Sequence, residues 1–322
     1  MSTVTLFTPV QEELQEVEAL MRAQADNAHP DLRAALAHLL SSGGKRIRPT
    51  LGLLVGKMLG APHKKLITLG AAVELLHTAT LVHDDLIDGA LLRRGNPTLN
   101  ARWTPAATVL TGDFIFARAA KLAAETDHLP LMNIFAETLA VIVNGELTQM
   151  FASKGFADRD NYYQRIYAKT ASLLEMCARA AAMISPADEG VVESMRQYGY
   201  NLGMAFQIVD DILDFTGEQA EVGKPVGSDL FQGLITLPTL YYIEKNPRDP
   251  DIKCILDGNF TVEQACIERL VAKVRSSDAV TTSLEEARIF ADKAIGYLND
   301  MPAGVERQAL EDLARYTTNR RI

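Results

Sequence analysis

Cysteine is scarce in this chain. Cys177, Cys254 and Cys266 are the only three in 322 residues, odd in number and unevenly spread. They outline neither a disulfide framework nor a zinc pattern, and they fit a reducing cytosol. An excess of positive charge is absent too: 32 Lys and Arg stand against 41 Asp and Glu, a formal net charge of −9, which argues against a nucleic-acid surface. No uncharged apolar run approaches the ~20 residues that span a bilayer. The N-terminal MSTVTLFTPVQEELQEVEAL turns acidic without the apolar core of a signal peptide. A cytoplasmic protein without a transmembrane segment is expected, with a peripheral membrane contact left open. No Pro/Gly/Ser-rich linker and no low-complexity tract divides the chain, so residues 1–322 are expected to form a single domain. A nucleophile-elbow motif is also missing.

Strand-type alternation of Val, Ile and Thr is scarce, whereas helical periodicity runs through nearly every segment. The spacing predicts helices over 8–25, 30–41, 47–59, 64–89, 98–126, 129–153, 159–184, 188–216, 230–245, 261–275, 279–299 and 303–318. Pro105 breaks or kinks the fifth of these, and Lys169-Thr170 marks a kink in the seventh. Breakers fill Ser41–Gly44, Arg94–Pro97, Gly217–Gly227 and Asn246–Pro250. The segments 64–89 and 188–216 are apolar on most faces, as at the centre of a bundle. The fold class is therefore all-α, a single large helical bundle.

Two acidic clusters of one design stand far apart: Asp84, Asp85 and Asp88 in HDDLID, and Asp210, Asp211 and Asp214 in VDDILD. Residues at i and i+4 share a helix face, so Asp84 lies over Asp88 and Asp210 over Asp214. Like charges repel there, and a divalent cation with oxygen ligands would relieve the repulsion. Two acidic walls facing one cavity would hold metal ions that in turn hold a diphosphate. Either cluster alone is as compatible with a solvated helix end as with a metal.

Four further segments bear on the choice. The stretch Gly43-Gly44-Lys45-Arg46-Ile47-Arg48-Pro49 joins close backbone approach, three cations and a helix start, the makings of a diphosphate site or of a basic surface loop. Arg93-Arg94-Gly95 follows the first acidic cluster; the pair can clamp phosphate oxygens or merely neutralise the aspartates. Lys224 and Asp229 in GKPVGSDL lie just beyond the second cluster, in a loop that closes over substrate or simply connects. Lys169-Thr170 and Gln207 project from apolar helices, where a lysine often snorkels to solvent and a glutamine is often a satisfied core amide.

In their order and joint occurrence, GGKRIRP, HTATLVHDDLIDGALLRRGNPT, GDFIFARA, GELTQM, AKTASL, GMAFQIVDDILD and GKPVGSDL resemble the trans (all-E) isoprenyl diphosphate synthases, or polyprenyl synthetases, over roughly residues 30–300. The resemblance implies an all-α fold around a deep central cavity, a homodimer and three Mg²⁺ ions between the acidic motifs. It implies that Asp84, Asp85, Asp88 and Asp210, with Asp211 and Asp214, bind magnesium and through it the allylic diphosphate. Arg93, Lys169, Gln207 and Lys224 contact that diphosphate, with Thr170 and Asp229 nearby. Lys45, Arg48, His77 and Arg94 hold isopentenyl diphosphate, although helical spacing alone would also suit His77 as a packed core histidine. The implied reaction is ionisation of the allylic diphosphate, condensation with isopentenyl diphosphate and elimination of a proton.

Chain length is expected to depend on Ala79 and Thr80, one turn before the first cluster. Short-chain relatives tend to carry bulky aromatics there, so these small side chains imply a medium- or long-chain product of the octaprenyl or solanesyl kind, for quinone side chains. Phe114, Phe116, Met150 and Phe151 are the candidates for a deeper floor. A class I terpene cyclase would lack the Gly-Gly-Lys-Arg loop and the Arg pair. A short-chain synthase and the catalytic subunit of a hetero-oligomeric synthase remain alternatives.

Overall fold

The computed structural model describes residues 7–41, 43–93, 95–151, 158–217, 226–257 and 264–320. After a 3₁₀ turn at Thr8–Val10, the helices are α1 (Gln11–Ala23), α2 (Pro30–Ser41), α3 (Ile47–Met58) and α4 (His63–Ile87). A hairpin of two short strands, β1 (Leu92–Arg93) and β2 (Asn96–Pro97), precedes α5 (Pro105–Glu125), α6 (Leu129–Phe151) and α7 (Arg159–Ile166). A π-helical turn, Tyr167–Ala171, leads into α8 (Ser172–Met183) and α9 (Glu189–Thr216). The chain closes with α10 (Ser228–Phe231), α11 (Leu237–Lys245), α12 (Pro250–Asp257), α13 (Gln264–Ser276), α14 (Ala279–Gly296) and α15 (Val305–Thr318).

The chain divides into two compact units. The first comprises Met1–Glu137, Met176–Arg196 and Asp300–Leu310; the second comprises Thr138–Glu175, Gln197–Asn299 and Glu311–Ile322. All but the boundary at Asn299 and Asp300 fall within helices. In the first unit α4 is apolar on nearly every face, with Leu66, Leu69, Val73, Leu75 and Leu76 all buried, so it is a core helix. It packs on α5 with the His83 ring over Gly112, where a Cβ would lie 2.2 Å from His83 Nε2 and would displace the ring. One core cluster of the second unit joins Tyr162 and Ile166 of α7 to Met204, Ile208 and Ile212 of α9 and Leu237 and Leu240 of α11. Another packs Phe215, Leu230, Ile252, Ile255, Leu270 and Val274.

The π turn sits against α9, where a Cβ at Gly203 would come 2.4 Å from Ala171 Cα. Ser172 N–H bonds to Tyr167 O, five residues back, and the Ser172 hydroxyl donates to Ala168 O at 3.0 Å. The irregularity expected at Lys169-Thr170 is thus a π turn in the helical path.

Three segments refine the expected helices, two of them as corrections. The break expected at Pro105 in the segment 98–126 is present, and it moves the helix start: Thr104 caps a helix that begins at Pro105, since proline at the first helical position needs no N–H partner. The segment 230–245 is two helices, separated around Gly233 at φ +80°. An eight-residue helix, α12, occupies Pro250–Asp257, where no helix is expected. Its second residue, Asp251, is buried and accepts from Arg269 Nη2 at 2.6 Å and Lys273 Nζ at 2.7 Å on α13. One helix bears on the membrane expectation without overturning it. Helix α4 is long and apolar enough to cross a bilayer, but 78% of its most apolar window is buried inside the protein.

Candidate active site

The first acidic cluster closes α4. Counting back from Asp88, the residues Asp84, Leu81 and His77 recur at helical spacing and share one face. Asp88 is exposed and Asp84 and His77 are half-buried, whereas Asp85 points inward and is only 6% exposed. Asp85 accepts from Arg93 Nε at 2.8 and 3.1 Å and from Arg93 Nη2 at 2.8 Å, a bidentate clamp that ties the hairpin to the helix end. Arg93 therefore does make the salt bridge that its spacing allows, and it keeps part of its guanidinium in solvent. The turn of the hairpin uses Gly95 at φ +77°, and Arg94 lies outside the described residues. Thr98 Oγ1 donates to Ala90 O at 2.7 Å, and His38 Nε2 on α2 lies 2.8 Å from Pro97 O.

The glycine-rich loop departs from expectation at one residue. Lys45 is exposed and Arg48 is half-buried, but Arg46 turns inward. It reaches Glu18 Oε1, Glu74 Oε1 and Leu40 O, each at 3.0 Å, so the loop presents two cations rather than three. Arg48 O accepts from the Cys177 thiol at 3.0 Å, and burial pushes that thiol up to about 12, which leaves it protonated and inert. Ala79 is buried, while Thr80 is half-buried and donates to His77 O at 2.9 Å. Of the proposed floor residues, Phe116 stacks on Phe135 at 6.4 Å, and Phe114 is half-buried. Met150 and Phe151 are exposed on α6.

The second cluster lies on α9, and each of its carboxylates has a different task. Asp210 accepts from Arg320 Nη1 at 2.6 Å, and the Arg320 guanidinium lies 3.7 Å above the Phe206 ring. Asp211 is buried and accepts from Tyr162 OH at 2.7 Å and Gln207 Nε2 at 2.8 Å. Burial first, and the Asp229 charge second, push the Asp211 carboxyl up to about 7. Thr170 Oγ1 donates to Gln207 Oε1, so Thr170, Gln207, Asp211 and Tyr162 form one chain of hydrogen bonds. Asp214 accepts from Ser228 N at 3.1 Å, Ser228 Oγ at 2.6 Å and Asp229 N at 3.1 Å at the start of α10. Lys169 is exposed on the π turn, and Lys224 lies outside the described residues.

A profile of the polyprenyl synthetase family matches residues 29–274. The chain belongs to the polyprenyl synthetase family. It is a prenyltransferase of the polyprenyl diphosphate synthase type. Heptaprenyl diphosphate synthase component 2 of Bacillus subtilis is 34% identical over 98% of this chain and 90% of that protein. Solanesyl diphosphate synthase 1 of Arabidopsis thaliana is 35% identical over 99% of this chain and 79% of its own length. Among solved structures, a polyprenyl synthase from Caulobacter crescentus, crystallised with calcium and isoprenyl diphosphate, shares 35% identity. It superposes with a TM-score of 0.92 over 100% of this chain and 98% of its own.

In this polyprenyl synthetase, a hard divalent ion fits some of the aspartates better than others. Asp84 and Asp88 share a face of α4 and reach solvent, which suits a metal that draws its remaining oxygens from water and diphosphate; Asp210 on α9 is half-exposed. Among the described residues no group of three or more His, Cys, Asp or Glu side chains stands at metal-binding spacing. Asp85, Asp211 and Asp214 each accept hydrogen bonds from protein donors. Sequence reasoning misses Tyr162, Ser228 and Arg320. Only Ser228 carries a local signal, as a serine at a helix start beside Asp229.

Proposed function

We propose that this enzyme is a medium- to long-chain all-trans polyprenyl diphosphate synthase. It condenses isopentenyl diphosphate head-to-tail onto an allylic diphosphate and serves quinone side chains. The observation that carries this reading is α4, whose last turns present Asp84 and Asp88 on the face of His77, with Arg93 clamped beside them by Asp85. Magnesium, three ions by family resemblance, is the metal, and it supplies charge neutralisation and Lewis acidity at the diphosphate.

Asp84, Asp85, Asp88 and Asp210, with Asp211 and Asp214, would hold the metal; Asp84, Asp88 and Asp210 are the more exposed of the six. Arg93, Lys169, Gln207 and Lys224 hold the allylic diphosphate, with Thr170 and Asp229 nearby. Their donors stabilise charge on the leaving group as the allylic C–O bond breaks. Lys45, Arg48, His77 and Arg94 hold isopentenyl diphosphate so that its double bond meets the electron-poor carbon. Apolar walls keep out the water that would capture that carbon. The proton lost on elimination leaves with the diphosphate, so no protein nucleophile or base is required.

The small residue at 79 and the heptaprenyl and solanesyl names of relatives support a product beyond the short-chain range. The whole chain acts as one catalytic domain, in the cytoplasm and without nucleic acid, and as a homodimer. Helix α6 supports the last point: Val143, Leu147 and Phe151 lie exposed along one stripe, a surface for a second copy. A second reading comes from the Bacillus subtilis relative, which is named as one component of a synthase. By that reading this chain needs a partner subunit.

Radiolabelled isopentenyl diphosphate with farnesyl diphosphate and Mg²⁺, on the purified chain alone, separates the two. A ladder ending at one long product supports a self-sufficient synthase. Product formed only with an added partner supports the two-component reading, and a single short addition refutes the long-chain assignment. Asp84→Ala and Asp210→Ala are expected to abolish the ladder with the fold retained; wild-type turnover in either would overturn the metal assignment.

A further inference from the structure

We propose that Arg46 and His38 are positioning residues, parts of one brace that holds the two basic segments of the first unit against α4. The proposal rests on the reading of Lys45, Arg48 and His77 as ligands of isopentenyl diphosphate. Arg46 has φ +46°, a left-handed conformation that glycine adopts without strain and that an arginine rarely takes. Strain of this kind persists only where the surroundings over-determine it, and it gathers at functional sites.

The surroundings of Arg46 do over-determine it. Its side chain is 13% exposed, and its three nitrogens hold acceptors on three different elements: Glu18 of α1, Glu74 of α4 and the Leu40 carbonyl of α2. The neighbouring Glu74 carboxylate holds the guanidinium firmly in its charged form. A lysine could not span these acceptors, because its single ammonium lacks the planar fork.

The geometry has two consequences. First, the inward turn of Arg46 leaves Lys45 facing outward and begins α3, which carries Arg48. Glu74 lies one turn before His77 on α4. A single guanidinium therefore registers the loop of Lys45 and Arg48 against the helix of His77. Second, the same stretch of α2 grips the other basic segment. Two residues before Leu40, His38 Nε2 meets Pro97 O, the end of the hairpin that carries Arg93. The last turn of α2 thus links the glycine-rich loop to the arginine hairpin, although neither residue is positioned to touch the reacting carbons.

A merely structural role would lower thermal stability and leave substrate constants alone. The brace predicts a split between them. In Arg46→Gly the backbone conformation is tolerated and the three tethers are lost. Its KM for isopentenyl diphosphate should rise about ten-fold or more, with kcat and the allylic KM changing far less. Arg46→Lys and Glu74→Gln are milder variants whose folding is checked by circular dichroism, and each should show the same split in smaller measure. His38→Ala should raise both KM values, because its hairpin carries Arg93. An unchanged KM for isopentenyl diphosphate in folded Arg46→Lys and Glu74→Gln, or equal changes for the two substrates, would overturn the brace. Lys45→Ala is the control. If it raises that KM while the Arg46 variants do not, the brace alone fails; if it leaves that KM unchanged, the underlying ligand assignment fails with it.

Discussion

Asp214→Ala separates a brace from a metal ligand. The Asp214 carboxylate accepts three hydrogen bonds from the start of α10: Ser228 N at 3.1 Å, Ser228 Oγ at 2.6 Å and Asp229 N at 3.1 Å. Bonds to a charged acceptor contribute ~1.5–3 kcal/mol each where water cannot replace them. Here the carboxylate is half-buried and water can serve the freed amides, so the loss lies nearer that of a helix cap, about 1–2 kcal/mol. For a chain of this size that lowers the thermal midpoint by about 1.5–3 °C. The assay is thermal unfolding in chelator without substrate, so that no metal contributes. Ser228→Ala should cost about half as much, and the double variant should cost clearly less than the sum, because the two side chains share a bond. A midpoint within about 1 °C of wild type for Asp214→Ala, together with a loss of turnover as deep as that of Asp84→Ala, would refute the brace and restore Asp214 as a metal ligand.

Other consequences are as direct. Ala79→Tyr should shorten the product ladder and, because Ala79 is buried, should destabilise the fold by about 1–3 kcal/mol; unchanged product length would end the tunnel argument. Gly203→Ala puts a methyl 2.4 Å from Ala171 Cα, main chain that cannot swing aside, so a clear fall in thermal midpoint and altered Lys169 chemistry are expected. A wild-type midpoint would mean that the π turn yields freely. The Arg269 side chain first, and Lys273 next, hold the Asp251 carboxyl at about 2, below its ordinary 3.8. A depressed carboxyl contributes stability above its unfolded value and loses it as the pH falls through the folded one. Wild type should therefore lose stability faster than Asp251→Asn between about pH 4 and pH 2, and parallel curves would discount the pair.

What the sequence made legible follows the range of the interactions involved. Helices such as α4 and α9 declare themselves, because apolar residues recur within a few positions. Aspartates spaced four apart declare a shared face for the same reason. The division of labour among those aspartates does not show locally. Tyr162 meets Asp211 across 49 residues, Arg320 meets Asp210 across 110, and Arg46 is turned by Glu18 and Glu74, 28 residues to either side. Helix α12 was hidden for a related reason. Eight residues after a proline- and asparagine-rich stretch have too few turns to show a period, and their order comes from Arg269 and Lys273 on another helix. The kink at Lys169-Thr170 was legible because polar residues interrupt an apolar helix, although its π character was not.

That wide turn has a consequence for how the chain tolerates change in length. A π turn stores one residue more than an α-helical path between the same two points. Here the surplus is absorbed between α7 and α8. Tyr162 and Ile166 before it, and Leu173, Leu174 and Cys177 after it, all keep their places in the core. The Ser172 hydroxyl serves the Ala168 carbonyl while the Ser172 amide reaches one residue further back. Removing one residue from Tyr167–Ala171 would leave both flanking helices in phase with their neighbours. It would still disturb the turn itself, because Ala168, Thr170 and Ala171 are buried and Thr170 donates to Gln207. The helices on either side can thus keep their packing across a change of one residue, and the cost of that change falls on the contacts of the turn.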